Sequence, residues 1–351
     1  MSFLFSKIKN QLSSKQPFVC YCKPSSDKII ALFQKNDDLI SLDDSDSGFA
    51  FVSFDNEKRY IIPERLSDIY FETVSASEYI FPKTLISETD SDVKIAFKTL
   101  VESGVEAIRN GDFEKVVLSR KESIKVTDFD IELVFNKLIS NYSTAFKYCF
   151  YHPKVGFWIG ATPEQFLKVD ENLVKTVSLA GTQLVSNDAE TWSDKEVDEQ
   201  QIVTDYIVKN LKLYSDNVTF SGPYSHQAGN LLHIKSDIQA VVNDENAISE
   251  IINVLHPTPA VCGFPKEKAK YFILENEGYQ REFYAGFLGE WNKDFATFKQ
   301  KQSDLFVNLR CMKIEESVAN LYIGCGITKD SNPEKEFIET ENKSLTIKSV
   351  L

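Results

Sequence analysis

The feature that most constrains the fold is a pair of consecutive apolar segments, each indicating two strands joined by a tight turn. Residues 148–164 (YCFYHPKVGFWIGATPE) and 165–182 (QFLKVDENLVKTVSLAGT) predict two hairpins, the second turning at Asp170–Asn172. Strands joined this closely pair antiparallel, because a parallel pair needs a crossover of roughly a dozen residues or more. Helical patterns are interspersed among the strands, so we predict an α/β protein of the α+β type with large antiparallel sheets, not a doubly wound parallel sheet.

Periodicity places the remaining elements. The predicted helices are 91–111, 130–140, 195–214, 245–255 and 266–278, and the further predicted strands are 115–126, 283–291, 305–314 and 320–328. A last helix is predicted to begin with Asn332 as its N-cap and Pro333 in its first turn. The first 90 residues show only short strand-like runs between polar turns and carry no motif with recognisable chemistry.

Composition narrows the class of protein. Hydrophobic residues make up 42% of the 351-residue chain and charged residues 26%, which is typical of a globular protein. The net charge of −13 disfavours nucleic acid and anionic lipid as partners. The six cysteines contain no CxxC pair, four histidines are few for a zinc site, and we find neither a signal peptide nor a membrane-spanning run. We therefore expect a cytoplasmic protein with reduced thiols, a monomer or weak homodimer.

Two predicted helices carry glutamates at the same spacing. Glu196 and Glu199 share one helix face, and Glu336 and Glu339 share a face of the last helix, where Lys343 follows one turn later. Like charges on one face repel, and a bound cation removes that repulsion. If the two faces meet, four carboxylates form an all-oxygen site suited to Mg²⁺, with two bound directly and two through water. Two solvated surface faces are the alternative.

Three other side chains suit chemistry on an anion. Lys115 opens the apolar strand KVVLSR, where burial would favour the neutral amine of a general base. Glu164 follows a Thr-Pro turn, and burial would raise its pKa and let it act as an acid. Arg310 lies in NLRCMKI, a strand that we expect to be buried, and its planar fork matches a carboxylate. The alternatives are a solvated strand end, a surface glutamate and a structural ion pair.

Glycine motifs and a proline-rich loop complete the pattern. Gly324 in GCGIT and Gly181 in LAGT allow close backbone approach, so nearby N–H groups could hold a carboxylate, although each motif also suits a bulge or a tight strand end. The segment HPTPAVCGFP is a rigid loop suited to a pocket wall. Together the residues predict an enzyme with carboxylate-held magnesium and a small anionic substrate.

In their order along the chain, these segments resemble the chorismate-utilising enzymes. The resemblance covers roughly residues 92 to 350 and is carried by KVVLSR, GATPE, LAGT, KEVDEQQIV, HPTPAVCGFP, REFYAG, LRC, GCGI and EFIETENK. It implies one large domain with two packed antiparallel sheets, helices outside them and the site in a cleft. Residues 1–90 would then be a variable N-terminal part of the same domain, and residues 91–351 the chorismate-binding catalytic region.

The resemblance also implies roles for individual residues. Lys115 would be the base that activates water, and Glu164 the acid that protonates the departing C4 hydroxyl. Glu199 and Glu339 would bind Mg²⁺ directly, with Glu196 and Glu336 acting through water, and the metal would hold the ring carboxylate. The residues implied to contact chorismate are Gly181, Thr182, His233, Tyr284, Arg310, Gly324 and Lys343.

Single residues indicate the subfamily. The pattern typical of anthranilate synthases, which use ammonia, has no lysine at the position of Lys115. The pattern typical of aminodeoxychorismate synthases has a lysine where this chain has Ala180. The remaining activities are isochorismate synthase, an isomerase, and salicylate synthase, which also eliminates pyruvate. Tyr284 resembles the salicylate synthases, whereas LSR and HPTPA favour isochorismate synthase. The product would serve menaquinone or siderophore biosynthesis.

Two other classes of function remain open. A non-catalytic anion-binding protein could use the same scaffold, but binding alone needs neither Lys115 nor Glu164. A carboxylate-metal phosphohydrolase would be expected to carry aspartates at strand ends, whereas the carboxylates here are glutamates on helices.

Overall fold

A computed structural model describes residues 3–74, 89–184, 192–228 and 231–351. Its α-helices are α1 (Phe3–Ser13), α2 (Ser91–Arg109), α3 (Ile131–Asn141), α4 (Asp194–Leu211), α5 (Ile248–Leu255), α6 (Lys266–Asn276) and α7 (Pro333–Lys348). The Asn332 side chain caps α7 by accepting hydrogen bonds from the N–H groups of Glu334 and Lys335, and Pro333 is its first residue, as predicted.

The strands form two large sheets. The first nine strands are β1 (Phe18–Cys22), β2 (Lys28–Gln34), β3 (Ile40–Ser41), β4 (Gly48–Val52), β5 (Arg59–Pro63), β6 (Ser67–Thr73), β7 (Lys115–Lys125), β8 (Phe146–His152) and β9 (Gly156–Thr162). The others are β10 (Gln165–Asp170), β11 (Leu173–Leu184), β12 (Asn217–Phe220), β13 (Tyr224–Ala228), β14 (Leu231–Val241), β15 (Gly263–Phe264), β16 (Phe287–Trp291), β17 (Gln302–Val307), β18 (Cys311–Glu315) and β19 (Val318–Ile327).

The strand order of each sheet mixes distant parts of the chain. Sheet A has nine strands in the order β15-β7-β19-β18-β9-β8-β1-β2-β6. Sheet B has ten, in the order β12-β14-β11-β10-β17-β16-β4-β5-β3, with β13 pairing β14. The paired strands of the described residues are all antiparallel, which confirms the predicted fold class, and both predicted hairpins, β8–β9 and β10–β11, are present. The N-terminal residues supply three strands to each sheet.

Two apolar cores explain why sheet A is buried on both faces. Alternate residues of β1 face opposite ways, so Val19 and Tyr21 pack into the core between the sheets, while Cys20 and Cys22 face an outer core under α1, α3 and the C-terminus. The alternation of these two cysteines in the apolar run PFVCYC is the local signal for their shared face. All six cysteines are free and buried. Among the described residues, no helix combines the length and apolar character needed to cross a bilayer.

Three elements differ from the sequence-based expectations. Residues 3–13 form a helix that buries Leu4, Phe5 and Ile8, although we expected only strands in this region. The predicted strand 283–291 begins only at Phe287, because the residues before it form turns. The predicted strand 305–314 is two strands, β17 in sheet B and β18 in sheet A, and Arg310 lies in the connection between them, not within a strand.

Candidate active site

The cleft is built where the chain passes from one sheet to the other. Pro163 and Glu164 connect β9 of sheet A to β10 of sheet B, and residues 308–310 connect β17 of sheet B to β18 of sheet A. The two connections are joined by backbone hydrogen bonds, from Val307 N–H to Glu164 O (3.0 Å) and from Ala161 N–H to Arg310 O (3.0 Å). Because Glu164 and Arg310 lie outside the strands, their side chains need not follow the alternation between the two faces of a sheet. Both side chains line the same cavity.

This cavity gathers most of the predicted site. It holds about 720 Å³ of empty space when the solvent-filled volume at its open mouth is included. Ten of the thirteen predicted residues line it: Glu164, Gly181, Thr182, Glu199, His233, Tyr284, Arg310, Gly324, Glu339 and Lys343. An adjoining cleft is lined by Glu196 and Glu336 and shares Gly181, Thr182, Glu199 and Glu339 with the cavity. These residues come from both sheets, α4 and α7, so only the tertiary structure brings them together.

Glu164 is buried, with 6% of its surface exposed. Burial raises the pKa of Glu164 from 4.5 to about 7, against the opposing effects of Lys115, Lys343 and Arg310. A carboxyl with this pKa is protonated in part at neutral pH and can donate a proton into the cleft.

Arg310 is a half-buried cation that has no matching anion among the described residues. Its Nη1 donates to Thr346 Oγ1 at 2.9 Å, and it forms no ion pair with any residue in the described part of the chain. Burial lowers the pKa of Arg310 to about 10, which leaves it charged at neutral pH. Since a partly desolvated guanidinium is stabilised by an anionic partner, the site is suited to a ligand carboxylate.

His233 presents a hydrogen-bond acceptor. Its Nδ1 lies 2.8 Å from the Gly181 carbonyl oxygen and 3.4 Å from Thr182 Oγ1. Burial, together with Arg310 and Lys343, lowers the pKa of His233 to about 3, so the ring is neutral at physiological pH. Because a carbonyl only accepts, Nδ1 carries the proton, and Nε2, which is buried and has no partner among the described residues, is left as an acceptor.

Glycine is favoured at three positions beside the cleft. Gly181 has a φ of +69°, a conformation that residues with a side chain rarely adopt. At Gly326, an added Cβ would lie 2.1 Å from Glu199 Oε1, so the carboxylate packs directly on the strand. A Cβ added at Gly324 would lie 2.8 Å from the hydroxyl oxygen of Tyr284. The two glycines of GCGIT therefore leave room for two predicted site residues.

Each of three glutamates is paired with its own lysine. Glu199 Oε1 lies 3.0 Å from Lys115 Nζ, and Glu339 Oε1 lies 2.6 Å from Lys343 Nζ. Glu336 Oε1 lies 2.5 Å from the Nζ of Lys195, a residue that sequence reasoning overlooked. Burial raises the pKa of Glu336, and neighbouring Glu339 adds to the rise, although Lys195 opposes it. The cleft thus balances crowded carboxylates with ammonium groups.

The fourth glutamate is held at the start of α4. The Glu196 carboxylate accepts hydrogen bonds from the backbone N–H and hydroxyl of Ser193, both at 2.9 Å, and from the Gln183 amide. This is a capping box, so part of the predicted metal-binding capacity of Glu196 stabilises its own helix. As the side chains stand, no three His, Cys, Asp or Glu residues of the described ranges form a ready-made metal cluster. The donor chemistry of four carboxylates along one cleft suits a hard cation once their lysine partners move aside.

Lys115 is neither at a solvated strand end nor on the cleft wall. It is fully buried behind Glu199, and its Nζ makes no well-aligned hydrogen bond to any described residue, despite the 3.0 Å ion-pair distance. A buried ammonium with unused donors is a position where a water or ligand group could bind.

Sequence reasoning also overlooked an ion pair behind the cavity, between Arg281 and Glu277. Arg281 donates to Val117 O at 2.6 Å and to Val261 O at 2.9 Å, and its Nε donates to Glu277 at 2.8 Å. Val117 and Val261 both line the cavity, so this buried ion pair positions one wall of it. Arg281 is the first residue of the REFYAG motif, and that motif was the sequence signal that could have identified it.

Comparison with known proteins agrees with this architecture. The family model for "chorismate binding enzyme" matches residues 56–351. The chain is 29% identical over 250 residues to the "salicylate biosynthesis isochorismate synthase" of Pseudomonas aeruginosa, an alignment covering 68% of this chain and 51% of that protein. It is 28% identical over 275 residues to isochorismate synthase MenF of Escherichia coli, covering 74% of this chain and 60% of that protein. The aligned part thus spans between half and two-thirds of these curated relatives.

Solved structures share the fold. The crystal structure of DhbC from Bacillus anthracis superposes with a TM-score of 0.80 at 22% identity, covering 97% of this chain and 98% of that one. The menaquinone-specific isochorismate synthase MenF from Escherichia coli gives 0.78 at 21% identity, covering 95% and 88%. Anthranilate synthase component I from Streptococcus pneumoniae gives 0.66 at 19% identity, covering 94% and 90%. With a family match over most of its length and this shared fold, the chain belongs to the chorismate binding enzymes.

Proposed function

We propose that the chain is an isochorismate synthase, an isomerase that converts chorismate to isochorismate in the cytoplasm. The observation that carries the proposal is Glu164, a buried carboxyl with a pKa of about 7 that faces a cavity also lined by the unpaired guanidinium of Arg310. A binding protein needs the guanidinium but not the proton donor. The free, buried thiols are consistent with a reducing compartment.

The reaction exchanges a hydroxyl group across the conjugated ring. Lys115 takes a proton from the water that adds at C2, and Glu164 gives a proton to the C4 hydroxyl, which leaves as water while the double bonds shift. One water enters and one leaves, so substrate and product are isomers, and the two side chains regain their starting protonation through solvent. Hydroxide is a poor leaving group, which is why the acid is needed.

The other predicted residues bind the two carboxylates and the ring. Arg310, Tyr284 and the backbone at Gly324 hold the enolpyruvyl carboxylate, and the Nε2 acceptor of His233 suits a ring hydroxyl. Gly181, Thr182 and Lys343 line the cavity near the ring carboxylate. Their common location in one cavity supports this assignment.

We also propose Mg²⁺ as the cofactor. Glu199 and Glu339, which line both the cavity and the adjoining cleft, would bind the ion directly. Glu196 and Glu336 would act through water. The bound ion supplies positive charge that holds the ring carboxylate and stabilises charge pushed onto the ring. For Lys115 to act as a base, its pairing with Glu199 must relax, and a cation on that carboxylate favours this.

One experiment tests the activity and the metal together. Purified protein is incubated with chorismate in Mg²⁺ or in EDTA, and products are identified by liquid chromatography and mass spectrometry. We expect isochorismate with Mg²⁺, almost none in EDTA, and recovery when Mg²⁺ is restored. Unchanged chorismate with Mg²⁺ would support the anion-binding alternative, and full turnover in EDTA would refute the metal site.

Tyr284 favours a second candidate, salicylate synthase, because it resembles the tyrosine of those enzymes. The same incubation distinguishes the two, since salicylate formation releases pyruvate, which lactate dehydrogenase detects. The names of the relatives point to menaquinone or 2,3-dihydroxybenzoate pathways as users of the product.

A further inference from the structure

Among the described residues, three lysines pair with glutamates of the proposed metal site, and Lys195 is the one to which the proposed reaction gives no role. Its Nζ lies 2.5 Å from Glu336 Oε1, on a carboxylate side chain that is only 3% exposed. Glu199 and Glu339 also attract this ammonium electrostatically, so it interacts with carboxylates of both α4 and α7. The ammonium therefore lies where carboxylates of the two helices face each other.

From this geometry we propose that Lys195 is a built-in counter-ion that occupies the cation site when the metal is absent and leaves when the metal binds. The inference rests on the proposed magnesium site and adds a residue to it. Several carboxylates in one buried cleft repel each other unless a cation compensates them. An ammonium and a hydrated divalent ion compensate the same group of carboxylates, so pairing with Lys195 lowers the apparent metal affinity by the fraction of molecules in which the pair is formed.

An orienting role makes the opposite prediction. Groups that hydrogen-bond to metal ligands commonly hold them in place, and removing such a group weakens metal binding. If Lys195 only positions Glu336, its removal should therefore raise the metal Kd. If Lys195 competes with the metal, its removal should lower the Kd. The sign of the change separates the two roles.

The affinity test uses Mn²⁺ as the probe, counted by electron paramagnetic resonance on the full chain without substrate. Lys195→Met keeps the length of the side chain and removes its charge, and we expect a Kd lower by about tenfold. Lys195→Arg keeps a cation and should stay near the wild-type Kd. Lys335→Met is the matched control, because the exposed Lys335 lines the same cleft and forms no ion pair with a described residue. It should change the Kd less than about twofold.

An unchanged or higher Kd in Lys195→Met overturns the proposal, as does an equal fall in the Lys335→Met control. A second readout tests displacement itself. Lys195, 27% exposed in its ion pair, should be acetylated faster by acetic anhydride when Mg²⁺ saturates the protein, measured by mass spectrometry against Lys335. Equal acetylation with and without Mg²⁺ refutes displacement. If either test fails but the protein still converts chorismate with Mg²⁺, the proposed function stands. If the protein shows neither Mn²⁺ binding nor turnover, the proposed function is refuted.

Discussion

The pKa of Glu164 makes a direct prediction about the pH dependence of turnover. With a pKa of about 7, roughly half of the Glu164 carboxyl groups are protonated at pH 7 and about a tenth at pH 8. A general acid must carry its proton, so kcat should fall about tenfold per pH unit well above pH 7 once the Lys115 base is neutral. Because burial raises the pKa of Glu164, the carboxyl loses its proton near and above pH 7, and the fall in kcat is therefore expected on the alkaline side.

Glu164→Gln is the matching perturbation. The amide has nearly the same shape but cannot donate an acidic proton, so kcat should fall by about 10²–10⁴-fold while chorismate binding changes much less. Any residual activity should lose the descending limb above pH 7. Initial rates from pH 6 to 9, with product resolved by chromatography, give both parameters. A Gln variant with wild-type kcat, or one whose residual activity keeps the wild-type pH profile, would refute the assignment of Glu164 as the acid.

Three further substitutions test the site. Lys115→Gln should lower kcat by about 10²–10⁴-fold with an intact fold by circular dichroism, and near-wild-type turnover would exclude it as the base. Glu339→Gln should raise the Mg²⁺ concentration needed for half-maximal rate far more than Glu334→Gln, since Glu334 pairs with lysines of α2; equal effects would refute the metal assignment. Gly326→Ala should weaken Mg²⁺ binding and cost about 1–3 kcal/mol, measured by titration and denaturant melts, because its methyl group would lie 2.1 Å from Glu199 Oε1. Unchanged binding and stability would show that this contact relaxes freely.

The local pattern of the sequence was sufficient for much of the fold. Both hairpins, α7 with its Asn332 cap, and the shared face of Cys20 and Cys22 follow from alternation, turn residues and capping, which depend on neighbours a few positions apart. The Glu-x-x-Glu spacing placed each pair of carboxylates on one helix for the same reason.

The tertiary structure decided which of these residues meet. The predicted strand 305–314 has apolar residues on both sides of Arg310, and nothing local indicates that Arg310 lies in a connection between two sheets. The pairing of Lys195 with Glu336 joins side chains 141 positions apart, and the burial of Lys115 depends on the Glu199 side chain of α4 reaching Lys115 on β7 and Gly326 on β19. Contacts between distant residues are selected by packing and charge compensation over the whole molecule, so the local sequence identifies candidates for the site and only the packed fold shows which of them act together.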